Sequence, residues 1–285
     1  MCGIPIAVEK TEGPSQVLPF AGIELDTRYM IARLPDDKIA KSINAIKETL
    51  TKDRISLKSI QELSGLLNFC CTVVYPGRCF LRRLYNLSVG LSNKYATVKL
   101  SAEVKDDLGM WLEFLSEFNG KNFFMSDQWI ASSALNLYSD AAQSKGYGAT
   151  LGREWFYGAW PEGLKGTDIT TLEFYPIVVA LNVWKHKLAN LNLNIHTDNE
   201  ALVSIINSQT VKRNNSCLKL LRFFVLTCLK NNILIKAFHV SGSTNSICDS
   251  LSRLQVHRFR ELAPAMQRDS IPVPPHLSPD TLLRI

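Results

Sequence analysis

The sequence lacks several features that would place a protein in a defined class. No apolar run is long enough to cross a membrane, no signal peptide opens the chain, and no two cysteines form a Cys-x-x-Cys pair. These absences argue against a membrane protein, a secreted protein and a zinc site. The seven cysteines, an odd number, lie mostly among apolar residues, which is typical of reduced, buried thiols. We therefore expect an intracellular protein, cytoplasmic or nuclear, with no membrane partner.

Charge and composition indicate a globular chain with a mild basic excess. Of its 285 residues, 46% are hydrophobic and 20% are charged, which suits one large or two small domains. The net charge of +6 is compatible with a polyanionic partner. Two local clusters, "GRCFLRRLYNL" and "LQVHRFRELAP", are either solvated faces or nucleic-acid contacts.

The spacing of apolar residues changes near Gly120. Before it, "DDKIAKSINAIKETLTK", "SLKSIQELSGLLNFCCTVV" and "SAEVKDDLGMWLEFLSEF" have helical spacing, and a further helix follows Pro76–Gly77, so we predict a helical block. After it, "ALNLYSD", "GYGATLG" and "EWFYGAW" predict an antiparallel meander of three strands. The whole second half has the predicted order β-β-β-α-β-α-α-β-α. We place the boundary between Gly120 and Ser132.

Four acidic residues stand near strand ends and helix starts of this second half. They are Asp140 in "LYSD", Glu173 in "TTLEFYP", Asp198 in "HTDNE" and Asp249 in "ICDSLSR". Each lies in an apolar stretch, where a lone buried carboxylate is costly unless it is paired or bound to a cation. If the first strand lies beside the fourth, Asp140 and Asp198 are neighbours. Converging carboxylates favour two Mg²⁺ or Mn²⁺ ions, which can clamp the attacking water and the leaving oxygen of a phosphodiester.

A simpler interpretation exists for Asp198–Asn199. Asn caps the free N–H groups of a helix start, and the helix dipole favours an acid there. This accounts for one acid taken alone, whereas the ordered set of four favours the metal site. Asn199 and Asn245 are candidates for substrate binding through sugar or phosphate groups. Both could equally be helix caps.

Several motifs together resemble a known family. "LYSDAAQSKGYGATLG", "TTLEFYPIVVAL", "HTDNEALVSIIN" and "HVSGSTNSICDSLSR" are similar to the type 1 ribonuclease H domain of retroelements. More closely, the chain from Gly3 to about Pro264 resembles the C-terminal part of a DIRS-type retrotransposon reverse transcriptase. "GIPIAVEKTEGPSQVLPFAGIELDT" is similar to the stretch after that family's polymerase site, and "QELSGLLNFCCTVVYPGRCFLRRL" to its thumb and connection region.

The resemblance implies an α/β fold, with an RNase H-like mixed five-stranded sheet and flanking helices preceded by a helical thumb- or connection-like region. The implied domains are a palm-end remnant over 1–30, the thumb- or connection-like region over 31–125, the RNase H-like domain over 126–262 and a C-terminal tail over 263–285.

The same resemblance implies an activity and its site. Asp140, Glu173, Asp198 and Asp249 would be catalytic and would bind two Mg²⁺ ions, which Mn²⁺ can replace, to cut the RNA strand of an RNA–DNA hybrid. The implied partners are that hybrid and the polymerase part of a reverse transcriptase, and no small-molecule cofactor is expected.

The sequence also departs from its relatives. Cellular relatives carry a histidine in the loop before the last acid, but this loop reads "VSGSTNSI", and His239 at the preceding strand end is better explained as a structural residue. No Tyr-x-Asp-Asp turn is present, so we expect no polymerase activity. The pairs Asp36–Asp37 and Asp106–Asp107 are interpreted as helix-start and surface acids.

Two other functions remain open. The chain could be a catalytically inactive, nucleic-acid-binding remnant of a reverse transcriptase. A 3′–5′ exonuclease is less favoured, because its first strand would carry Asp-x-Glu where this one reads "SDAA".

Overall fold

The computed structural model describes residues 13–117, 122–123, 129–164, 167–211, 214–231, 233–239 and 245–283. The chain forms two compact units, Met1–Met125 and Ser126–Ile285. The predicted boundary position Gly120, the loop residues Gly242 and Ser243, and the start of the chain through residue 12 lie outside the described residues. None of the described helices is both long and apolar enough to span a membrane.

The first unit combines helices with short antiparallel strands. Its helices are α1 (Asp36–Leu50), α2 (Leu57–Cys70), α3 (Arg82–Asn86) and α4 (Ala102–Glu117). Its strands are β1 (Val17–Phe20), β2 (Ile23–Asp26), β3 (Ile31–Arg33), β4 (Arg54–Ser56), β5 (Thr97–Lys99) and β6 (Asn122–Phe123). One sheet has the order β1-β2-β3-β6, and β4 pairs with β5. The four helices match the predicted ones, whereas helical spacing gave no sign of the β4–β5 pair.

A buried aromatic cluster joins the helices of this unit. Trp111 and Phe114 of α4 are fully buried, and the Phe114 ring lies edge-on to Phe80. A Cβ atom on Gly77 would lie 2.3 Å from the Trp111 ring, so only glycine fits there. Asp107 is also buried and pairs with Arg83 at 3.3 Å, so it is not the surface acid that the sequence suggested.

The second unit contains every element of the predicted order, with additions at both ends. Its strands are β7 (Ile130–Ala131), β8 (Tyr138–Ala142), β9 (Gly146–Leu151), β10 (Glu154–Ala159), β11 (Asn192–Thr197) and β12 (Leu234–His239). Its helices are α5 (Ile169–Val183), α6 (Lys185–Leu188), α7 (Glu200–Ser208), α8 (Asn215–Lys230), α9 (Ser246–Ser252), α10 (Val256–Leu262) and α11 (Pro279–Leu283). The additions are β7, α10 and α11, and the predicted long helix is divided into α5 and α6 at Trp184.

The strands of this unit are both parallel and antiparallel, so the mixed α/β class is confirmed. They form two three-stranded sheets, β10-β9-β8 and β12-β11-β7, rather than one five-stranded sheet. Ile130 pairs with Leu193, so β7 takes the parallel place beside β11 that we expected β8 to take. A 3-10 turn over Ser132–Leu135 follows and ends at Asn136, whose φ of 50° is left-handed. This turn ends β7, and the chain after it forms β8 in a different sheet from β11.

Helix α5 forms the centre of the unit. Leu172, Phe174, Tyr175, Ile177 and Val178 point in all directions around its axis, and all are buried. A helix that is apolar on every side is covered on every side. α5 contacts β8, β9 and α8, and it thereby joins the antiparallel sheet to the helical layer.

The residues predicted as a C-terminal tail pack against this unit. The backbone N–H of Ile271 donates to the Trp155 carbonyl at 2.8 Å, and the Tyr175 hydroxyl donates to the Leu277 carbonyl at 2.7 Å. Leu277, Leu282 and Leu283 are buried. The segment therefore adds apolar surface to the core from beyond the predicted domain end at residue 262.

Candidate active site

A cavity of about 770 Å³ lies between β8 and β11, and all four predicted acids line it. Residues 137–142 form one wall and residues 195–198 form the other, with α5 and α9 contributing further side chains. Asp140 lies in the middle of β8 and not at the strand end that the sequence suggested, whereas Asp198 directly follows β11, and Glu173 and Asp249 lie in α5 and α9. Within the described part of the chain, β8 and β11 are not hydrogen-bonded to each other, and the cavity occupies the space between them.

Gly148 in β9 allows α9 to pack next to Asp140. Gly148 lies opposite Asp140 in the β8–β9 pair, and a Cβ atom there would lie 2.4 Å from the Cβ of Leu251. Helix α9 therefore packs directly on the β9 backbone. From this position the Ser252 hydroxyl donates to Asp140 Oδ2. The Asn245 amide donates to the Ser139 carbonyl at 2.8 Å, which ties the other end of α9 to β8.

Glu173 lies in α5, one turn after the helix start. The start is capped by Asp168, whose carboxylate accepts from the backbone N–H groups of Thr170 and Thr171 at 3.2 and 3.0 Å. The Oε2 atom of Glu173 is buried and has no hydrogen-bond partner among the described residues. Such a buried, unsatisfied acceptor is rare and calls for a ligand or a solvent molecule.

Asp198 follows β11 directly, and Asn199 begins α7. The Asn199 side chain accepts from the Leu202 N–H at 2.9 Å, as the capping interpretation predicts. Its amide also donates to Thr170 Oγ1 at 3.2 Å, which links the starts of α7 and α5. Asn199 is not among the described residues that line the cavity, whereas Asn245 is. Asn245 makes no side-chain cap, so its capping alternative is wrong.

Asp249 is already paired with two cations of the chain. Arg253 Nε lies 2.6 Å from its Oδ1, and Arg258 Nη1 lies 3.6 Å from its Oδ2. Both arginines line the cavity. The site therefore contains positive as well as negative side chains.

Burial and neighbouring carboxylates raise the pKa values of two of these acids, Asp140 and Glu173. Burial is the largest cause that raises the pKa of Asp140, and the charges of Asp249 and Asp198 raise it further, against the effects of Ser252 and Arg253. Burial also raises the pKa of Glu173 most, a hydrogen bond with the Asn199 side chain opposes this, and the charges of Asp198 and Asp140 raise the pKa further. A divalent cation would relieve this repulsion.

The donor set fits a hard divalent cation, but the donors are spread out. Carboxylate oxygens are the ligands that Mg²⁺ and Mn²⁺ prefer, and Glu173 Oε2 is unsatisfied. In the described part of the chain, however, no three Asp, Glu, His or Cys side chains lie close enough together to hold an ion. The Ser252 hydroxyl is already hydrogen-bonded to Asp140, and Arg253 and Arg258 are already paired with Asp249. Asp140 and Asp198 face the same cavity from separate sheets, where we expected adjacent strands.

Sequence reasoning missed three side chains of the cavity. Arg253 stands four residues after Asp249, a spacing that favours an ion pair on a helix and could have revealed it. Arg258 was noticed only as part of a basic cluster. His196 lines the cavity and its Nδ1 lies 3.3 Å from Ser132 Oγ, and nothing in its sequence context indicated this.

Comparisons with known proteins add little to this picture. No family model matches the chain, and no curated protein matches it. Solved structures similar to the chain include the foamy viral protease-reverse transcriptase dRH with ds DNA, the foamy viral protease-reverse transcriptase with RNA/DNA hybrid, and the latter protein with dsDNA. Their identities to this chain are 12%, 11% and 12%, each with a TM-score of 0.30.

The aligned region is 80%, 80% and 81% of this chain, and 38%, 30% and 46% of the three solved chains. The chain therefore spans less than half the length of these structures.

Proposed function

We propose that this chain is a metal-dependent endonuclease that hydrolyses the RNA strand of RNA–DNA hybrids. The observation that carries the proposal is the meeting of Asp140, Glu173, Asp198 and Asp249 at one cavity. The motifs around these acids support a finer assignment, to the C-terminal part of a DIRS-type retrotransposon reverse transcriptase without its polymerase site.

The four carboxylates would hold two Mg²⁺ ions, for which Mn²⁺ can substitute. Bound ions of this kind activate a water and stabilise the leaving 3′ oxygen of a phosphodiester. The chain's own residues prepare the site. Ser252 fixes the orientation of Asp140, and the cap of α5 by Asp168 fixes the helix that carries Glu173. Asn199 ties that helix start to the end of β11.

Asn199 and Asn245 stay candidates for substrate binding. Asn245 is the better placed of the two, because it lines the cavity. An amide there can bond a sugar hydroxyl, and the 2′-hydroxyl is what distinguishes RNA from DNA at a site.

A second function is favoured by one observation. Asp249 is paired with Arg253 and Arg258, and no described group of acids is close enough to hold an ion. A nucleic-acid-binding remnant without catalysis would have this arrangement permanently. In a functional nuclease, the two arginines must leave Asp249 so that a metal ion can bind there.

Cleavage of a hybrid with separately labelled strands tests the proposal. We expect the RNA strand to be cut in Mg²⁺ or Mn²⁺, with 5′-phosphate products, and the DNA strand to stay intact. EDTA should abolish the cleavage. A parent protein that is inert at every Mg²⁺ and Mn²⁺ concentration, yet binds the hybrid, would establish the remnant instead.

A further inference from the structure

Arg253 and Arg258 each pair with Asp249, and both ion pairs are exposed enough for Asp249 to exchange them for another cation. The Arg253 and Arg258 side chains are 51% and 49% exposed, while Asp249 is 32% exposed. An ion pair this exposed contributes little, less than about tenfold in an equilibrium constant. Each guanidinium can therefore leave Asp249 and turn within the cavity at small cost.

Other arginines of the same segment are held elsewhere. Arg260, two residues after Arg258, donates to the Gln267 carbonyl at 2.8 Å and stacks over the Trp155 ring at 4.8 Å. It supports the C-terminal segment. The basic cluster of the sequence is thus divided, with Arg258 lining the cavity and Arg260 supporting the fold.

We propose that Arg253 and Arg258 are an internal counter-ion that exchanges with the metal and then holds the nucleic-acid backbone. Without metal, the two guanidiniums neutralise Asp249. When a divalent cation binds Asp249, they are released at the rim of the same cavity. A guanidinium is a planar fork of N–H donors that matches the non-bridging oxygens of a phosphodiester.

This inference rests on the proposed function, since it assumes that the four acids bind metal. It explains why four carboxylates can share a cavity before metal arrives. It also makes metal and hybrid binding cooperative, because the ion frees the groups that bind phosphate. Arg253 and Arg258 are positioning residues for the phosphate, and each is expected to oppose metal binding when no nucleic acid is present.

Metal binding without nucleic acid is the first test. Mn²⁺ affinity would be measured by titration calorimetry for the parent, Arg253→Gln, Arg258→Gln and a control, Lys230→Gln. Lys230 is exposed at the end of α8, so its substitution removes the same charge away from the cavity. Loss of an exposed pair should tighten Mn²⁺ binding by about 2- to 5-fold in Arg253→Gln, and by less in Arg258→Gln, whose contact is longer. Lys230→Gln should match the parent.

Hybrid binding is the second test, and here the arginine substitutions are expected to weaken binding. It would be measured with Ca²⁺ in place of Mg²⁺, and gel analysis would verify that the hybrid stays intact. Each arginine variant should bind more weakly, and the slope of log affinity against log salt should fall by about one, as expected for one lost phosphate contact. Arg253→Lys keeps the charge but loses the fork, so it should lose part of the hybrid affinity and gain little Mn²⁺ affinity.

Tighter Mn²⁺ binding together with weaker hybrid binding supports the exchange. Unchanged or weaker Mn²⁺ binding by folded Arg253→Gln overturns it, as does a parent and variant set that binds no Mn²⁺. If the arginine variants bind Mn²⁺ more tightly and hybrid more weakly while the parent cuts no hybrid, the exchange stands and the nuclease proposal fails. If the parent cuts hybrid and Mn²⁺ affinity does not move, the nuclease stands and the exchange fails.

Discussion

At the residue scale, the pKa values of Asp140 and Glu173 show the electrostatic effect of placing several acids in one cavity. Burial and neighbouring charges raise both pKa values, and Asp140 is also held by the Ser252 hydroxyl. The four acids could be predicted as a set, although Asp140 lies within β8 and not at its end. The Arg253 partner of Asp249 could be predicted from its four-residue spacing, whereas Arg258 could not, because the direction of its side chain depends on how α10 packs.

The raised pKa values predict that the contribution of Asp140 and Glu173 to metal-free stability falls as pH rises. In the unfolded chain the pKa values return to about 3.8 for Asp140 and 4.5 for Glu173, below their folded values. The folded state therefore holds these protons more tightly, and the stability they contribute is present below the unfolded pKa and lost as pH rises through the folded pKa.

We expect Asp140→Asn to be more stable than the parent near pH 7 and to lose less stability between about pH 4 and pH 7. Urea unfolding at both pH values in EDTA measures this. Asp269→Asn, at an exposed position of the same unit, should follow the parent. An identical pH dependence in the parent and Asp140→Asn would contradict the raised pKa assigned to Asp140.

At the element scale, the position of α9 depends on one glycine. A Cβ on Gly148 meets fully buried Leu251, so Gly148→Ala must push α9 away from β9. We expect a loss of about 1–3 kcal/mol in the free energy of unfolding, as for other overpacked sites. Because α9 carries Asp249, hybrid cleavage should fall as well.

Gly65→Ala is the control for that substitution. Gly65 lies in α2, where a Cβ would meet nothing within 4 Å, so the change should be neutral or slightly stabilising. Thermal unfolding of both variants gives the comparison. A Gly148→Ala protein as stable and as active as the parent would show that α9 is not held by this contact.

The C-terminal segment is a second test at this scale. Leu282 is buried, so Leu282→Ala should cost about 2–5 kcal/mol in the free energy of unfolding. His276→Ala, at an exposed position of the same segment, should cost little. Denaturant unfolding distinguishes a packed segment from a tail, because a tail would tolerate both changes equally.

Sequence patterns predicted the elements better than their pairing. Asn199 caps its helix as its position suggests, and the order of strands and helices in the second unit agrees with the prediction. The division into two sheets depends on the left-handed Asn136 and on the short strand β7, and neither has a distinctive signature in "IASSALNLYSD". Strand pairing between distant segments is not encoded by local periodicity.

At the scale of the whole molecule, the change in apolar spacing near Gly120 predicted a division, and the chain forms two compact units, Met1–Met125 and Ser126–Ile285. The assignment of the first unit as palm remnant and thumb-like region stays a prediction. Limited proteolysis should cut first between Gly120 and Ala134. A dominant early cut within α5 would contradict two independently folded units, because that helix is the buried centre of the second unit.

The most direct test of the central claim compares the parent with Asp198→Asn and Asp269→Asn in the hybrid cleavage assay. Asp198→Asn keeps the shape of the side chain and leaves the Asn199 cap in place, but it removes a charge from the set that would hold the metals.

We predict that Asp198→Asn loses at least about 100-fold in cleavage rate while its thermal stability holds or rises, since one repelling charge is gone. Asp269→Asn should cut as fast as the parent. A parent that cuts hybrid beside an Asp198→Asn protein that cuts equally well would contradict the assignment of this cavity as the active site.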